Sequence, residues 1–224
     1  MIISERCSKN YKATEFLLTI MDEELSPRER RHQRTQQAIL TAARALVAEG
    51  GADKLSMRAI ADRIDYSPAG LYEYYGSKEE IIGALCIEGH RTLKHYMAQV
   101  SLAMPTDEYM VEIGIAYIRF AIQNPDYFLL IFTTPGMKPN SDKQGGRALL
   151  AEMMNEVSSF PLLLSGVERA AAAGTIQLLP GLTLLDTAYA FWAVVHGAAM
   201  LRISHLDYLE ISFDQADRLM LAAF

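Results

Sequence analysis

SMRAIADRIDYSPAGLYEYYGSKEEII, residues 56–82, changes character twice within one short stretch. Ser56 is a good N-cap, and Met57, Ile60, Ala61 and Ile64 recur on one helical face. Asp65-Tyr66 breaks that helix. Ser67 then caps a second one, with Pro68 at its first position, where a missing N–H costs nothing. Leu71 and Tyr75 lie four residues apart and point inward together. Gly76-Ser77 ends this piece, and Lys78 opens a longer helix reaching about Val100, with Ile82, Leu85, Leu93, Tyr96 and Met97 inward. A middle helix of two turns does not persist alone. Neighbours must clamp it through Leu71 and Tyr75, which leaves Pro68, Ala69, Gly70, Tyr72, Glu73 and Tyr74 to form an outer surface.

Working outward, Ile39, Leu40, Ala43, Leu46 and Val47 define an earlier helix that stops at Gly50-Gly51. Before it, residues 1–33 carry little amphipathic order. SPRERRHQR reads as an exposed basic arm, and residues 1–20 as an extension or tail ahead of a start at Met21. Downstream, helical patterns cover about 106–123, 125–132, 147–173, 183–204 and 212–223. The longest break, TTPGMKPNSDKQGG at 133–146, reads as a surface loop. No alternating strand pattern and no internal repeat occurs. The expected fold is all-α: an N-terminal three-helix helix-turn-helix bundle, linked by a fourth helix to a larger C-terminal helical bundle. The expected divisions are a flexible tail and basic arm over 1–33, a DNA-binding domain over 34–78, and a ligand-binding and dimerisation domain over 79–224.

Half the residues are hydrophobic, enough for a sizeable core. Cys7 and Cys86 are too few for a disulfide framework, which fits a reducing, cytoplasmic setting. The apolar run at 182–201 is long enough for a membrane, but it carries Asp186 and His196 and lacks basic flanks. It reads as a buried helix, with no membrane partner. The net charge of −6 argues against indiscriminate coating of nucleic acid. Residues 28–78, however, hold nine basic against six acidic side chains, whereas 79–224 hold nine against sixteen. A mildly basic module precedes an acidic body.

Two helices joined by a tight turn form a helix-turn-helix, whose second member enters a major groove about 12 Å wide. The candidate DNA contacts are Ser56, Arg58, Ser67, Pro68, Ala69, Gly70, Tyr72, Tyr74 and Lys78. Ser67 and the helix start can meet a phosphate, the tyrosines donate to phosphate oxygens, and Lys78 adds a cation at a helix N-terminus. Small side chains at 69 and 70 admit base edges, where an alanine touches a thymine methyl. Arg28, Arg30, Arg31 and Arg34 either add phosphate or minor-groove contacts or form a solvated tail.

Residues 34–82 resemble the DNA-binding domain of the TetR family of transcriptional regulators. The resemblance rests on ILTAARALVAEGG, on Ser56-Met57-Arg58-Ala59-Ile60-Ala61, on Ser67, and on Leu71-Tyr72-Glu73-Tyr74-Tyr75 followed by Ser77-Lys78-Glu79-Glu80. Where the family typically has glycine in the turn, this chain has Asp65, a residue that tolerates a left-handed backbone. The family implies a ligand-responsive regulator, with a ligand cavity and a dimer interface in the C-terminal bundle. It also implies a homodimer on a pseudo-palindromic double-stranded operator. A mixed apolar cavity favours a hydrophobic or amphipathic small-molecule effector. Repression is the expected sign, because a small dimer on a promoter most simply blocks polymerase.

FWAVVHGAAML, residues 191–201, looks like the Trp-His-Gly signature of one C-terminal subclass. Trp192 and His196 share a helical face and either line a pocket or pack in the core. The candidate pocket is Tyr117, Phe120, Phe128, Tyr189, Trp192 and His196, with Ile113, Tyr127, Phe132, Met153, Met154 and Phe160 as further lining candidates. The helices at 183–204 and 212–223 are apolar on more than one face, which suggests the dimer interface. No phosphate-binding glycine loop, nucleophile elbow or HExxH points to an enzyme. Cys86 and His90 lack further ligands for a metal, and no cofactor is implied. The competing reading is an all-α small-molecule-binding or interaction protein without sequence-specific DNA binding, which leaves Tyr72, Tyr74 and Lys78 unexplained.

Overall fold

The computed structural model describes residues 26–134, 154, 156–176, 180–209 and 211–223. The tail ahead of residue 26 with Cys7, nearly all of the 133–146 loop, and Met153 lie outside the described residues. The described chain is helical, with no strand among the described residues.

Helix α1 spans Pro27–Gly50. The segment expected to be a flexible arm is therefore its first turns. Ser26 and Glu29 form a capping box, Ser26 Oγ accepting the Glu29 N–H at 3.3 Å and the Glu29 carboxylate accepting the Ser26 N–H at 2.7 Å. Pro27 occupies the first turn. Arg28, Arg31 and Arg34 are exposed, as expected of an arm, but they are held on a helix.

A single 3₁₀ turn, Ala52–Lys54, leads into α2, Met57–Arg63. Helix α3 is Pro68–Leu71, and hydrogen bonds from the Tyr74 and Tyr75 N–H groups to the Leu71 carbonyl carry its turn onward. Ile39, Ala43, Ile60, Ala61 and Leu71 are fully buried and form the core of this small bundle. Leu71 is the anchor that the sequence demands of so short a helix.

Helix α4, Lys78–Ala98, leaves the bundle and packs against α5 (Thr106–Gln123), α6 (Pro125–Thr133) and α7 (Phe160–Ala173). The helix expected from 147 starts at Phe160 in the described chain, because residues 156–159 are bent and Pro161 sets a new first turn. Helix α8, Leu184–Ser204, packs against α5 and α7, and α9, Asp214–Ala222, packs against α5. By length and composition α8 would reach across a bilayer. Here Ala188, Phe191, Val195 and Ala199 are buried in the bundle.

The two bundles meet at α1, α4 and α6. A Cβ at Gly89 of α4 would come within 2.9 Å of the Ile131 side chain, so this glycine permits the close approach of α4 and α6. Arg44 of α1 closes the junction. Its Nε pairs with Asp126 Oδ2, while one terminal nitrogen donates to Asp126 Oδ1 and Asn124 Oδ1, each at 3.2 Å. The guanidinium also lies 3.9 Å from the Tyr127 ring centroid.

Candidate functional site

The outward face of α2 and α3 is built from local caps. Ser56 Oγ accepts the Ala59 N–H at 3.1 Å, and Ser67 Oγ accepts the Gly70 N–H at 3.0 Å. Both hydroxyls keep a proton to donate to an incoming phosphate. Asp65 has φ 52°, the left-handed conformation expected of the turn, and the Tyr66 N–H reaches back to the Ala61 carbonyl at 2.9 Å. Pro68, Ala69 and Arg58 are exposed, and Tyr72 is 56% exposed. Arg58 makes only a loose 3.9 Å pair with Asp62.

Two positions differ from the sequence reading. Tyr74 is half-buried: its ring stacks on His32 of α1 with centroids 4.6 Å apart, and its hydroxyl lies 3.4 Å from the Tyr66 hydroxyl. It ties the basic turns of α1 to the recognition element rather than standing free. Gly70 is half-buried too. A Cβ there would sit 2.6 Å from the Tyr66 ring, so the missing side chain makes room for Tyr66. Tyr66 itself is exposed on this face and was missed as a candidate. The Ser26-x-x-Glu29 capping box is the sequence signal that would have extended α1 through His32.

Lys78 stands at the start of α4, where Ser77 caps Glu80 N–H at 3.2 Å. It is half-buried and borders a cleft shared with the end of α1 and with α6, so it sits at the junction of the two bundles.

The C-terminal bundle encloses a cavity of about 430 Å³ among α4, α5, α6, α7 and α8, a size typical of small-molecule sites. Tyr117 and Trp192 line it. The other four predicted pocket residues do not. Phe120 and Phe128 are fully buried behind the wall, and His196 stacks on Phe128 at 5.2 Å. Tyr189 lies on the outside of α8, 64% exposed, in one row with the exposed Leu185 and Ala193. His90, Phe132 and Phe160 complete much of the lining. Met154 is exposed.

Trp192 and His196 converge on one hydroxyl. The Trp192 indole N–H donates to Tyr117 Oη at 3.2 Å, and Tyr117 Oη lies 2.9 Å from His196 Nδ1. Burial lowers the His196 pKa and raises that of Tyr117, so both stay neutral and the hydroxyl donates to the imidazole. Burial likewise lowers the His90 pKa and pushes the Cys86 thiol up to about 11. Among the described residues no group of three or more side chains has the makings of a metal site.

Among the described residues, α8 presents an exposed row at every fourth position: Leu185, Tyr189, Ala193, Gly197 and Leu201. Leu219 and Met220 are exposed on α9. An i±4 row of this kind is a ridge of the sort that packs between helices.

Comparison with known proteins places these features in a family. A sequence profile of the tetR family of bacterial regulatory proteins matches residues 39–85. A profile of tetracyclin repressor-like C-terminal domains matches residues 110–223, about half of the chain. The uncharacterized HTH-type transcriptional regulator YobS of Bacillus subtilis (strain 168) is 29% identical over 94 residues. That match covers 42% of this chain and 49% of the relative, about half its length. Two solved structures share the fold. GusR of Salmonella enterica has a TM-score of 0.60 at 24% identity, covering 85% of this chain and 94% of that one. The fatty acid degradation regulator FadR of Bacillus halodurans has a TM-score of 0.61 at 15% identity, covering 89% and 96%.

Proposed function

The chain belongs to the TetR family of bacterial regulatory proteins, and from that premise we propose that it is a ligand-responsive repressor acting as a homodimer. In this reading residues 34–78 hold the DNA and 79–224 the effector and the dimer contact. The observation that carries the proposal is the exposed α2–α3 face, joined through Arg44 and Asp126 to the helix that walls the cavity. Ser56, Arg58, Ser67, Pro68, Ala69 and Tyr72 meet the duplex, and Tyr66 joins them. Gly70 and Tyr74 shape that surface from beneath. Lys78 meets a phosphate from the start of α4. Arg28, Arg31 and Arg34, carried on α1, reach phosphates beside the groove.

The ridge on α8, with the exposed apolar residues of α9, pairs with its own copy across a two-fold axis. Two recognition elements then stand about 34–36 Å apart, on successive major grooves of a pseudo-palindrome. An effector in the cavity repositions α6 and α4, and the altered spacing releases the operator. The Trp192–Tyr117–His196 cluster supports a place within the Trp-His-Gly subclass. A regulator of this kind works in the cytoplasm without a catalytic step.

A gel-shift titration of the purified dimer against DNA upstream of its own gene tests the proposal. Tyr72→Phe and Lys78→Ala weaken binding across sequences, and Lys78→Ala lowers the salt slope by about one unit. An unaltered slope would remove Lys78 from the interface. A protein that binds small molecules but retards no DNA would favour the interaction-protein reading instead.

A further inference from the structure

We infer that the cavity beside Trp192 selects an uncharged, largely apolar molecule with one hydroxyl or carbonyl group, which hydrogen-bonds to His90. This rests on the reading of that cavity as the effector site. Its described lining contains no Asp, Glu, Lys or Arg. The polar groups along it are few, and most are already engaged. Trp192 donates to Tyr117, whose hydroxyl bonds His196. Ser158 Oγ accepts the Phe160 N–H at 3.1 Å.

His90 and Ser159 are the exceptions. Ser159, whose side chain makes no cap hydrogen bond, sits at the start of α7, whereas His90 stands in the apolar wall itself. The His90 ring meets the edge of Phe132 at 6.4 Å, and it has no hydrogen-bond partner among the described residues. A ligand that filled the cavity without bonding this imidazole would leave it unpaired, which is costly, whereas one that presents a polar group to it avoids that cost. Burial keeps His90 neutral, so it offers one N–H donor and one lone pair and suits an alcohol or a carbonyl equally. A carboxylate or an ammonium would enter the same space without a fixed counter-charge among the described lining residues, which is far less favourable.

The chain has one tryptophan, so its emission reports occupancy of the cavity directly. The full chain is titrated with 1-decanol, decanoate and decylammonium, three probes of one length and different heads. Decanol is expected to shift the emission and to bind at least roughly tenfold more tightly than either ion. His90→Phe lowers decanol affinity roughly three- to tenfold, and His90→Gln, which keeps a donor and an acceptor, recovers part of it. Decanoate or decylammonium binding as tightly as decanol overturns the inference, as does decanol affinity indifferent to both variants. Silence of the emission with all three probes overturns the effector-site reading, and this inference with it. If His90→Phe does not fold, His90→Gln carries the test, with a smaller but measurable loss expected.

Discussion

Removing the Arg44 side chain probes the joint between the two bundles. The guanidinium makes hydrogen bonds to both Asp126 oxygens and to Asn124, and lies over Tyr127. Arg44 is 38% exposed and Asp126 only 11%, so solvent screens one partner much more than the other. Hydrogen bonds to a charged group contribute about 1.5–3 kcal/mol, which partial exposure trims toward the lower end. The cation–π contact adds about 0.5–1 kcal/mol. Arg44→Ala should therefore cost about 2–3 kcal/mol, or about 4–12 °C in Tm for a chain of this size. Asp126→Ala should cost a similar amount, including about 0.3–1 kcal/mol from its place in the first turn of α6. That helix-end contribution drops out of a double-mutant cycle. The cycle, measured by denaturant unfolding followed by circular dichroism, should return a coupling of about 1–2 kcal/mol. Additivity within about 0.5 kcal/mol would refute the reasoning, because it would mean that the ion pair does not hold the joint.

Acid should weaken the fold through His196 and His90. Burial depresses both pKa values below the ordinary 6.5, so the unfolded chain takes up protons first as the pH falls. Their contribution is complete above 6.5 and is lost on further acidification, and the His90→Gln, His196→Gln double variant should flatten Tm between pH 7.5 and 5.5. Gly70→Ala gains about 1 kcal/mol of helix propensity but drives the Tyr66 ring aside, so Tm should hold or rise while DNA affinity falls. A Gly70→Ala protein that binds its operator as tightly as the parent would show that the Tyr66 ring takes no part in binding. Gly197→Glu, placed in the exposed row of α8 where an added Cβ meets nothing within 4 Å, should leave the subunit folded. It should also convert the proposed dimer to monomer in sedimentation velocity, and an unchanged sedimentation coefficient would remove the α8 row from the proposed interface.

What the sequence revealed was local. The caps at Ser56 and Ser67 and the left-handed Asp65 depend on neighbours within four or five residues, and each appears as expected, while Ser77, read only as a break, also caps α4. What stayed hidden was long-range. Arg44 and Asp126 are 82 positions apart, and neither carries a motif. Helix α8 is apolar nearly all round, so periodicity could not say that Trp192 faces the cavity, His196 the wall behind it and Tyr189 the outside. His90 drew notice only as a partner for Cys86, because its apolar surroundings come from four other helices. The arm was misjudged for a different reason. Its polarity on every side hid a helix that its own first four residues, Ser26 to Glu29, announce.

The fit of Tyr66 over Gly70 carries a consequence for how such a protein discriminates among promoters. With position 70 taken up by a neighbouring phenol, α3 offers a methyl group at Ala69 and aromatic hydroxyls, and none of the forked amide or guanidinium side chains that grip a purine edge; Arg58, at the start of α2, is read as a phosphate contact. Selectivity then falls to thymine methyls and to the ease with which a stretch of duplex narrows or bends. Base changes in the untouched spacer between half-sites should matter nearly as much as changes beneath the protein itself.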